Sequence, residues 1–377
     1  MLYLDNAATS RFKPPSVVRA VTDALLHSAN PGRGAHRAAI GAAMKIFECR
    51  EAVRDLLHAP RAEVVFTKNC TEALNLAITG LLKDGGHAVT DTNQHNSVLR
   101  PLYEAERRGK ITLTVLTANG AVTADALAES LTPRTSLVCL NAVSNVTGAK
   151  TDLAAAAKIL RPQNIPLLVD GAQALGHDVF DMDVGGDLVA APGHKGLHGP
   201  QGTGFLAFRK EIALAPILFG GTGTDSANLY QPIGSPDAYE SGTLNTIGIA
   251  GLREGIVWTM KHQTEIREKS RTLTARLITG LSALPNIRLY TAPNDLNGVV
   301  SFNIGDLSSS IVADILNETY DIAVRAGLHC APLVHKTIGT LKSGAVRASI
   351  GYDNTAKEID VFVASIKEIQ RGAQRAE

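Results

Sequence analysis

One stretch of the sequence, residues 185–208, constrains the fold more than any other, because two apolar segments enclose a run dense in glycine and proline. The first apolar segment ends at Pro192 and Gly193, which are followed by His194 and Lys195. Glycine and proline at this density exclude a regular helix or a central strand, so we predict that Lys195 lies on a tight turn. Such a lysine is either a solvated surface group or a Schiff-base nucleophile in a pocket, and spacing leaves both interpretations open.

An acidic residue upstream favours the second interpretation. Residues 165–169 form an apolar run of strand length that stops at Asp170 and Gly171. In open α/β sheets, ligands bind outside the carboxyl ends of the strands. Pyridoxal 5'-phosphate (PLP) needs both residue types, because its aldehyde takes a lysine and its ring nitrogen needs an anion to stay protonated. We interpret Asp170 and Lys195 as that pair, with a turn acid that terminates the strand as the alternative for Asp170.

Length and composition indicate an ordinary globular protein that has two domains, or one large domain and one small domain. Of its 377 residues 45% are hydrophobic and 19% are charged, and the formal net charge is +1, so we expect neither nucleic acid nor a membrane surface as partner. We expect no signal peptide and no membrane span. Four cysteines do not suggest a disulfide framework, so we predict a reducing, cytoplasmic setting. No metal site is expected, since His194 and His198 lack the helix that an i, i+4 ligand pair needs.

Apolar periodicity predicts strands that alternate with helices. The predicted strands are 63–66, 87–90, 111–116, 136–143 and 165–169, and the predicted helices are 15–28, 38–58, 71–82, 98–108, 123–131 and 152–160. Further along, a long helix (246–282) precedes strands at 298–304, 321–325 and 345–349 and helices at 308–319 and from about 355. This is typical of an α/β fold with a doubly wound, mostly parallel sheet. We expect a large domain (14–255) and a smaller α+β C-terminal domain (256–377), with residues 1–13 packing on the smaller one.

Four polar residues stand where the predicted strands end or the predicted helices begin, which is where such sheets bind ligands. His95, Asn145 and Gln173 lie in loops after strands, although a single loop histidine is commonly just a surface residue. Thr71 opens a helix after a strand, where free backbone N–H groups bind anions. An ordinary helix N-cap is an equal alternative for Thr71.

Two residues in the last fifty of the chain carry further chemistry. Cys330 stands in a turn-prone loop beside His329, which can stabilise a thiolate. By contrast, Cys49 and Cys139 lie in an amphipathic helix and an apolar strand and are expected to be inert. The guanidinium of Arg347 is well suited to bind a substrate carboxylate through two hydrogen bonds. The alternative is that Arg347 forms a surface ion pair.

Six motifs follow one another along the chain: YLDNAATS, DGAQALGH, GHKGLHGPQGTG, ESGTLNT, RAGLHCAP and VRASIGYDNT. In this combination the sequence resembles the class V (fold type I) PLP-dependent aminotransferase family over nearly its whole length. Within that family it is similar to the SufS-like group of cysteine desulfurases and selenocysteine lyases. The resemblance implies fold type I, PLP as cofactor and a homodimer.

The resemblance also assigns roles to the candidate residues. It implies that Lys195 binds the cofactor and moves a proton, that Asp170 pairs with the ring nitrogen, and that His95 stacks on the ring and shuttles protons. It implies cofactor contacts for Asn145, Gln173, Cys70, Thr71 and His194, and for Thr243 from the other subunit. Substrate contacts are implied for Arg347, Asn145 and Ala7, and sulfur acceptance for Cys330.

The activity implied by the resemblance is conversion of L-cysteine to L-alanine, with a persulfide on Cys330 that passes to an acceptor protein. The alternatives are an L-selenocysteine lyase, another PLP-dependent lyase, epimerase or aminotransferase, or a scaffold of sulfur-cluster assembly with little turnover. Three positions depart from the family pattern. Pro192 stands where the family often has a serine, Gln94 where it often has an acidic residue, and Leu328 where it commonly has a histidine. These departures leave the substrate and the sulfur acceptor open.

Overall fold

The computed structural model describes residues 1–32, 34–118, 120–224 and 226–374. Within these ranges the strands are β1 (Leu2–Tyr3), β2 (Glu63–Thr67), β3 (Gly86–Asp91), β4 (Ile111–Leu116), β5 (Thr135–Asn141), β6 (Leu167–Asp170), β7 (Leu188–Pro192), β8 (Gly204–Phe208), β9 (Ile287–Leu289), β10 (Val299–Ile304), β11 (Ile322–Ala323) and β12 (Val346–Ser349). The α-helices are α1 (Pro15–His27), α2 (Arg37–Leu56), α3 (Cys70–Leu81), α4 (Asn96–Arg107), α5 (Ala124–Ser130), α6 (Leu153–Leu160), α7 (Met182–Gly185), α8 (Thr246–Ser282), α9 (Ser309–Tyr320), α10 (Pro332–Thr337) and α11 (Ala356–Gln374). The sequence did not predict β1, β9 and α7, because such short segments carry no readable periodicity.

A seven-stranded sheet in the order β2-β8-β7-β6-β5-β3-β4 forms the larger part of the molecule. Strands β7, β6, β5, β3 and β4 are parallel, and β8 is antiparallel to both of its neighbours. Successive side chains along a strand point to opposite faces of the sheet, and each face is covered by its own apolar core. Val169 and Val189 belong to one core, and Leu168 and Leu188 belong to the other. Because both faces are buried, the strands are continuous apolar runs. The predicted mostly parallel α/β fold is confirmed.

Four parallel strands end at the same edge of this sheet. The last residues of β3, β5, β6 and β7 are Asp91, Asn141, Asp170 and Pro192. Strand β6 begins later than predicted, after Pro166, because proline has no N–H to donate to a neighbouring strand. The loops that follow these four strands therefore meet above one edge, as the crevice rule for open α/β sheets requires.

The C-terminal part contains a three-stranded antiparallel sheet, β12-β10-β9, with a separate apolar core. Helix α8 joins the two regions, since Leu252 belongs to a core of the large sheet and Leu277 to the C-terminal core. The boundary expected between residues 255 and 256 falls inside this continuous helix and stays a prediction. No helix in the described part of the chain is long and apolar enough to cross a membrane.

The N-terminal segment contacts both regions. Strand β1 pairs in parallel with β11, and the side chain of Asn6 donates to the carbonyl of Ser349 at 3.2 Å. A few residues later, Ser10 donates through its backbone N–H to the carbonyl of His194 at 3.0 Å. The segment therefore connects the C-terminal part to the turn that carries Lys195.

Replacing Leu316 with alanine should destabilise the C-terminal core by about 2–5 kcal/mol, because this side chain is fully buried and its loss leaves a cavity. Ile311 lies on the same helix, α9, but is 50% exposed, so Ile311→Ala should cost under about 1 kcal/mol. Urea unfolding of both variants followed by circular dichroism measures the difference. Equal losses in the two variants would contradict the assignment of Leu316 to the core.

Candidate active site

A cavity of about 180 Å³ opens at the carboxyl edge of the seven-stranded sheet. Strand β6 ends in it, the turn after β7 forms its floor, and helices α3 and α4 begin at its rim. Eight of the predicted site residues line it: Cys70, Thr71, His95, Asn145, Asp170, Gln173, His194 and Lys195. No group of three potential metal ligands is found in the described ranges.

The carboxylate of Asp170 is buried, and one of its oxygens is held by two donors. Oδ1 accepts the backbone N–H of Ala172 at 2.9 Å and the thiol of Cys70 at 3.7 Å. Burial, followed by the charge of Asp170, raises the pKa of the Cys70 thiol, so this thiol stays protonated and donates. Oδ2 has no hydrogen-bond partner among the described residues and remains available to a ligand.

Lys195 lies on the predicted glycine-rich turn, which closes through backbone hydrogen bonds. The N–H of Gly193 donates to the carbonyl of Thr203, and that of His198 to the carbonyl of Lys195, each at 2.9 Å. A Cβ atom on Gly193 would lie 2.1 Å from Oγ1 of Thr203, so only glycine fits there. Burial lowers the pKa of Lys195, which raises the fraction of nucleophilic neutral amine, although Asp170 opposes this effect. The position is therefore not that of a solvated surface lysine.

Thr71 does not cap helix α3, because Asn69 does. The Asn69 side chain accepts the backbone N–H of Glu72 at 2.9 Å. The N-cap interpretation of Thr71 is therefore wrong, and its hydroxyl lies in the cavity wall. His194, which lines the same cavity, has a pKa lowered to about 4, chiefly by burial, so its ring is neutral near pH 7.

Cys330 is exposed on a strained loop next to the cavity. Both His329 and Cys330 adopt left-handed backbone conformations, with φ of 48° and 57°. Asn145 donates to the carbonyl of His329 at 2.8 Å, and the N–H of Asn96 donates to the carbonyl of Cys330 at 2.7 Å. These two bonds fix the loop to the first residue of α4 and to the loop that follows β5.

His329 does not supply the positive charge expected beside the Cys330 thiol. It is buried, donates Nε2–H to the carbonyl of Ala345 at 3.1 Å, and has a pKa lowered to about 2 by burial first. The neighbouring cations are instead Arg325 and Arg347, both of which interact electrostatically with Cys330. The positive charge beside the Cys330 loop therefore comes from arginines rather than from an imidazolium.

Arg347 is buried, so the surface ion pair considered from the sequence is wrong. Its guanidinium donates to Oδ1 of Asp5 at 3.1 Å and to the carbonyl of Asn145 at 3.0 Å, while Nε has no partner. Arg325 binds the same carboxylate, with 2.9 Å between Nη2 and Oδ2 of Asp5. Sequence reasoning missed Asp5 and Arg325 as site residues, although both stand inside quoted motifs, YLDNAATS and RAGLHCAP.

Two further predicted residues, Ala7 and Thr243, do not line the cavity. Ala7 is adjacent to it, because its carbonyl accepts a hydrogen bond from Gln173 at 3.0 Å and its N–H donates to Oγ of Ser349 at 2.9 Å. Thr243 lines a different cavity of about 460 Å³, together with Arg50. Thr243 therefore does not share a cavity with Lys195 within one chain.

The fold and cavity together define an α/β protein with a half-buried lysine and a buried carboxylate at the strand ends. The aminotransferase class-V family model matches residues 2–362. A probable cysteine desulfurase of Methanothermobacter thermautotrophicus is 35% identical over 98% of this chain and 94% of its own length. The cysteine desulfurase CsdA of Escherichia coli is 31% identical over 97% of this chain and 93% of its own length.

A solved structure agrees with these sequence matches. The apo cysteine desulfurase of Thermococcus onnurineus NA1 superposes with a TM-score of 0.92 at 33% identity, covering 98% of this chain and 95% of that one. The chain therefore belongs to the aminotransferase class-V family and, within it, to the cysteine desulfurases.

Proposed function

We propose that the chain is a PLP-dependent enzyme that converts L-cysteine to L-alanine and transfers the sulfur to Cys330. The observation that carries this proposal is the placing of Lys195 and Asp170 in one cavity, with an exposed cysteine on an adjoining loop. The family relationship supports the same activity. A scaffold without turnover would not need a complete set of reactive residues around one cavity.

The cavity residues fit PLP. The free Oδ2 of Asp170 suits a protonated ring nitrogen, and Lys195 suits the aldehyde. The start of helix α3, with Thr71 and the neutral His194, suits a phosphate group, whereas Pro192 offers neither a hydroxyl nor an N–H there. When bound, the cofactor supplies an electron sink for a carbanion at the substrate α-carbon.

The side chains of the chain itself perform the remaining steps. Arg347, a buried cation hydrogen-bonded to the carbonyl of Asn145, binds the substrate carboxylate, and Lys195 accepts and returns the α-proton. The Cys330 thiolate attacks the substrate sulfur, so an S–S bond forms as the substrate Cβ–S bond breaks. The released electron pair and the proton of the substrate thiol end on Cβ, which yields alanine and a persulfide on Cys330. We propose that an acceptor protein then takes this sulfur in the cytoplasm, where thiols stay reduced.

Mass spectrometry of the purified protein after exposure to L-cysteine tests this function. One added sulfur should appear on the peptide that contains Cys330, with an equal amount of alanine in solution. Pyruvate with ammonia, or a keto acid formed with an amino acceptor, would instead indicate another reaction on the same fold. A parallel incubation with L-selenocysteine compares the two substrates.

The variant Asp170→Asn should retain PLP but lose on the order of 100-fold or more in turnover, because a neutral amide does not hold the ring nitrogen protonated. The cofactor absorbance before and after addition of L-cysteine, together with alanine release, measures the two effects separately. Turnover near the parent rate would mean that Asp170 serves only as a turn residue.

We also propose a homodimer in which Thr243 contacts the phosphate of the cofactor bound by the other subunit. Its position away from the Lys195 cavity of its own chain supports this arrangement. The apolar side chains Leu229 and Ile233, which precede Thr243 in the sequence, are 97% and 98% exposed, as surfaces covered by a partner would be in one isolated chain. Sedimentation at assay concentration should give a dimer, and Thr243→Ala should weaken PLP binding. A fully active monomer would contradict the shared site.

A further inference from the structure

The segment that carries Thr243 is attached to the large sheet by one buried carboxylate, that of Glu240. Its Oε1 accepts the backbone N–H of Phe66 at 2.6 Å, and its Oε2 forms an ion pair with Arg50. Arg50 also donates to the carbonyl of Val64. The side chains of Arg50 and Glu240 are only 11% and 5% exposed. None of the steps proposed above uses this buried pair.

The pair covers one edge of the seven-stranded sheet. Strand β2 is the last strand of that sheet, and among the described strands it pairs with β8 alone. Unpaired backbone groups on such an edge are available to another strand. Here Arg50 donates to one of them and Glu240 accepts from another, so the two side chains take the place of a neighbouring strand. They thereby join α2, β2 and the segment before Thr243.

Two further contacts fix the chain on either side of Thr243. The N–H of Gly242 donates to the carbonyl of Gly221 at 2.9 Å, and Gly242 has a φ of 95°, which favours glycine. The side chain of Asn245, the N-cap of α8, donates to the carbonyl of Gly202 at 3.1 Å. Thr243 itself is exposed, and its hydroxyl makes no hydrogen bond with a described residue. The hydroxyl is therefore held at the surface and is available to a group outside its own chain.

We propose that Glu240 and Arg50 are positioning residues, which hold Thr243 toward the phosphate of the cofactor bound by the other subunit. The inference rests on the proposed function, because it takes the shared site of the homodimer as given. Glu240 and Arg50 line the same cavity as Thr243, and neither lines the cavity of Lys195. The pair therefore acts on the cofactor of the partner and not on the cofactor of its own chain.

Equilibrium binding of PLP and of pyridoxal, which lacks the phosphate, tests the link to Thr243. The variant Thr243→Ala should lose roughly 10- to 100-fold in PLP affinity, the effect of one hydrogen bond to a charged group. Glu240→Gln keeps an acceptor for Phe66 but loses the ion pair, so it should bind PLP about fivefold more weakly and bind pyridoxal like the parent. Because Glu240 acts through Thr243, the double variant should bind PLP no more weakly than Thr243→Ala.

Asp187 offers a matched control at the opposite ends of the strands. Its carboxylate also joins an arginine to a strand, since Oδ2 accepts the N–H of Leu167 at 3.0 Å and Oδ1 accepts from Arg209 at 2.8 Å. Asp187 is 8% exposed, against 9% for Glu240, but it lines neither of the two cavities. Thermal unfolding should show a loss of stability in both Asp187→Asn and Glu240→Gln. Asp187→Asn should nevertheless keep parental PLP affinity, and a loss equal to that of Glu240→Gln would overturn the inference.

Heterodimers of differently tagged chains distinguish an effect on the partner from an effect within one chain. When a Glu240→Gln chain pairs with a Lys195→Ala chain, the site that contains Lys195 receives Thr243 from an intact segment. This site should regain parental PLP affinity, measured as cofactor fixed to Lys195 by borohydride. An affinity as weak as that of the Glu240→Gln homodimer would overturn the inference.

The same pairing with Thr243→Ala in place of Glu240→Gln tests the shared site itself. If the Thr243→Ala chain is rescued and the Glu240→Gln chain is not, this inference fails and the proposed homodimer stands. If the Thr243→Ala chain is not rescued, the proposed shared site fails and this inference fails with it.

Arg50→Lys provides a second variant should Glu240→Gln not fold. It keeps a cation beside Glu240, but an ammonium lacks the fork with which Arg50 binds both Glu240 and Val64. PLP affinity should fall about two- to threefold, with pyridoxal binding unchanged and with the same rescue in heterodimers. Parental PLP affinity in either variant, or an equal loss for pyridoxal, would overturn the inference.

Discussion

Lys195→Ala should abolish turnover, and borohydride should no longer fix the cofactor to the protein. Among the described residues that line the cavity at the strand ends, Lys195 is the only lysine. Burial lowers its pKa, which raises the fraction of the neutral amine needed for attack on an aldehyde. Alanine release and mass spectrometry of borohydride-treated protein measure the two losses.

Lys13 offers a matched control for this experiment. Burial also lowers its pKa, to about 8, and its amine donates to Oγ of Ser10 at 2.8 Å, but it does not line the cavity. The variant Lys13→Met should still be trapped by borohydride at Lys195. Covalent trapping at Lys13, or at any lysine other than Lys195, would refute the assignment.

Cys330→Ala should separate cofactor binding from sulfur transfer. The thiol is exposed on a loop outside the cofactor cavity, so its removal should leave folding and PLP affinity unchanged. Alanine release from L-cysteine should fall by at least about 1000-fold, because no nucleophile is left to take the sulfur. Selenocysteine should retain part of its turnover, since selenium leaves carbon more readily. Alanine assays with both substrates and a visible spectrum give these three readouts.

Cys139→Ala is the matched control for the thiol. Cys139 is fully buried in β5, and burial raises its pKa far above the usual range, so it is neither accessible nor nucleophilic. This variant should lose some stability through a small packing defect but should keep parental alanine release. If Cys330→Ala released alanine at the parent rate, Cys330 would not be the sulfur acceptor, and a lyase or aminotransferase would be the better account.

Asp170 and Lys195 line one cavity, and the sequence predicted their positions because each stands at a recognisable local signal. Asp170 ends an apolar run, and Lys195 lies in a run of glycine and proline, so elementary strand and turn chemistry places each at a strand end. Thr71 was ambiguous at this level, because both it and Asn69 are suitable N-cap residues. The capping bond of Asn69 to Glu72 resolved that ambiguity.

Residues within a few positions of one another determined the order of strands and helices, the glycine-rich turn and the inert character of Cys139. Such features depend on periodicity and backbone preference, which neighbouring residues set by themselves. The tertiary structure alone decided that Asp5 joins Arg325 and Arg347, and that Glu240 pairs with Arg50. These hydrogen bonds join side chains from different elements, up to 342 positions apart in the case of Asp5 and Arg347. Their partners are set by how the elements pack, and no local pattern in one element specifies a side chain on another.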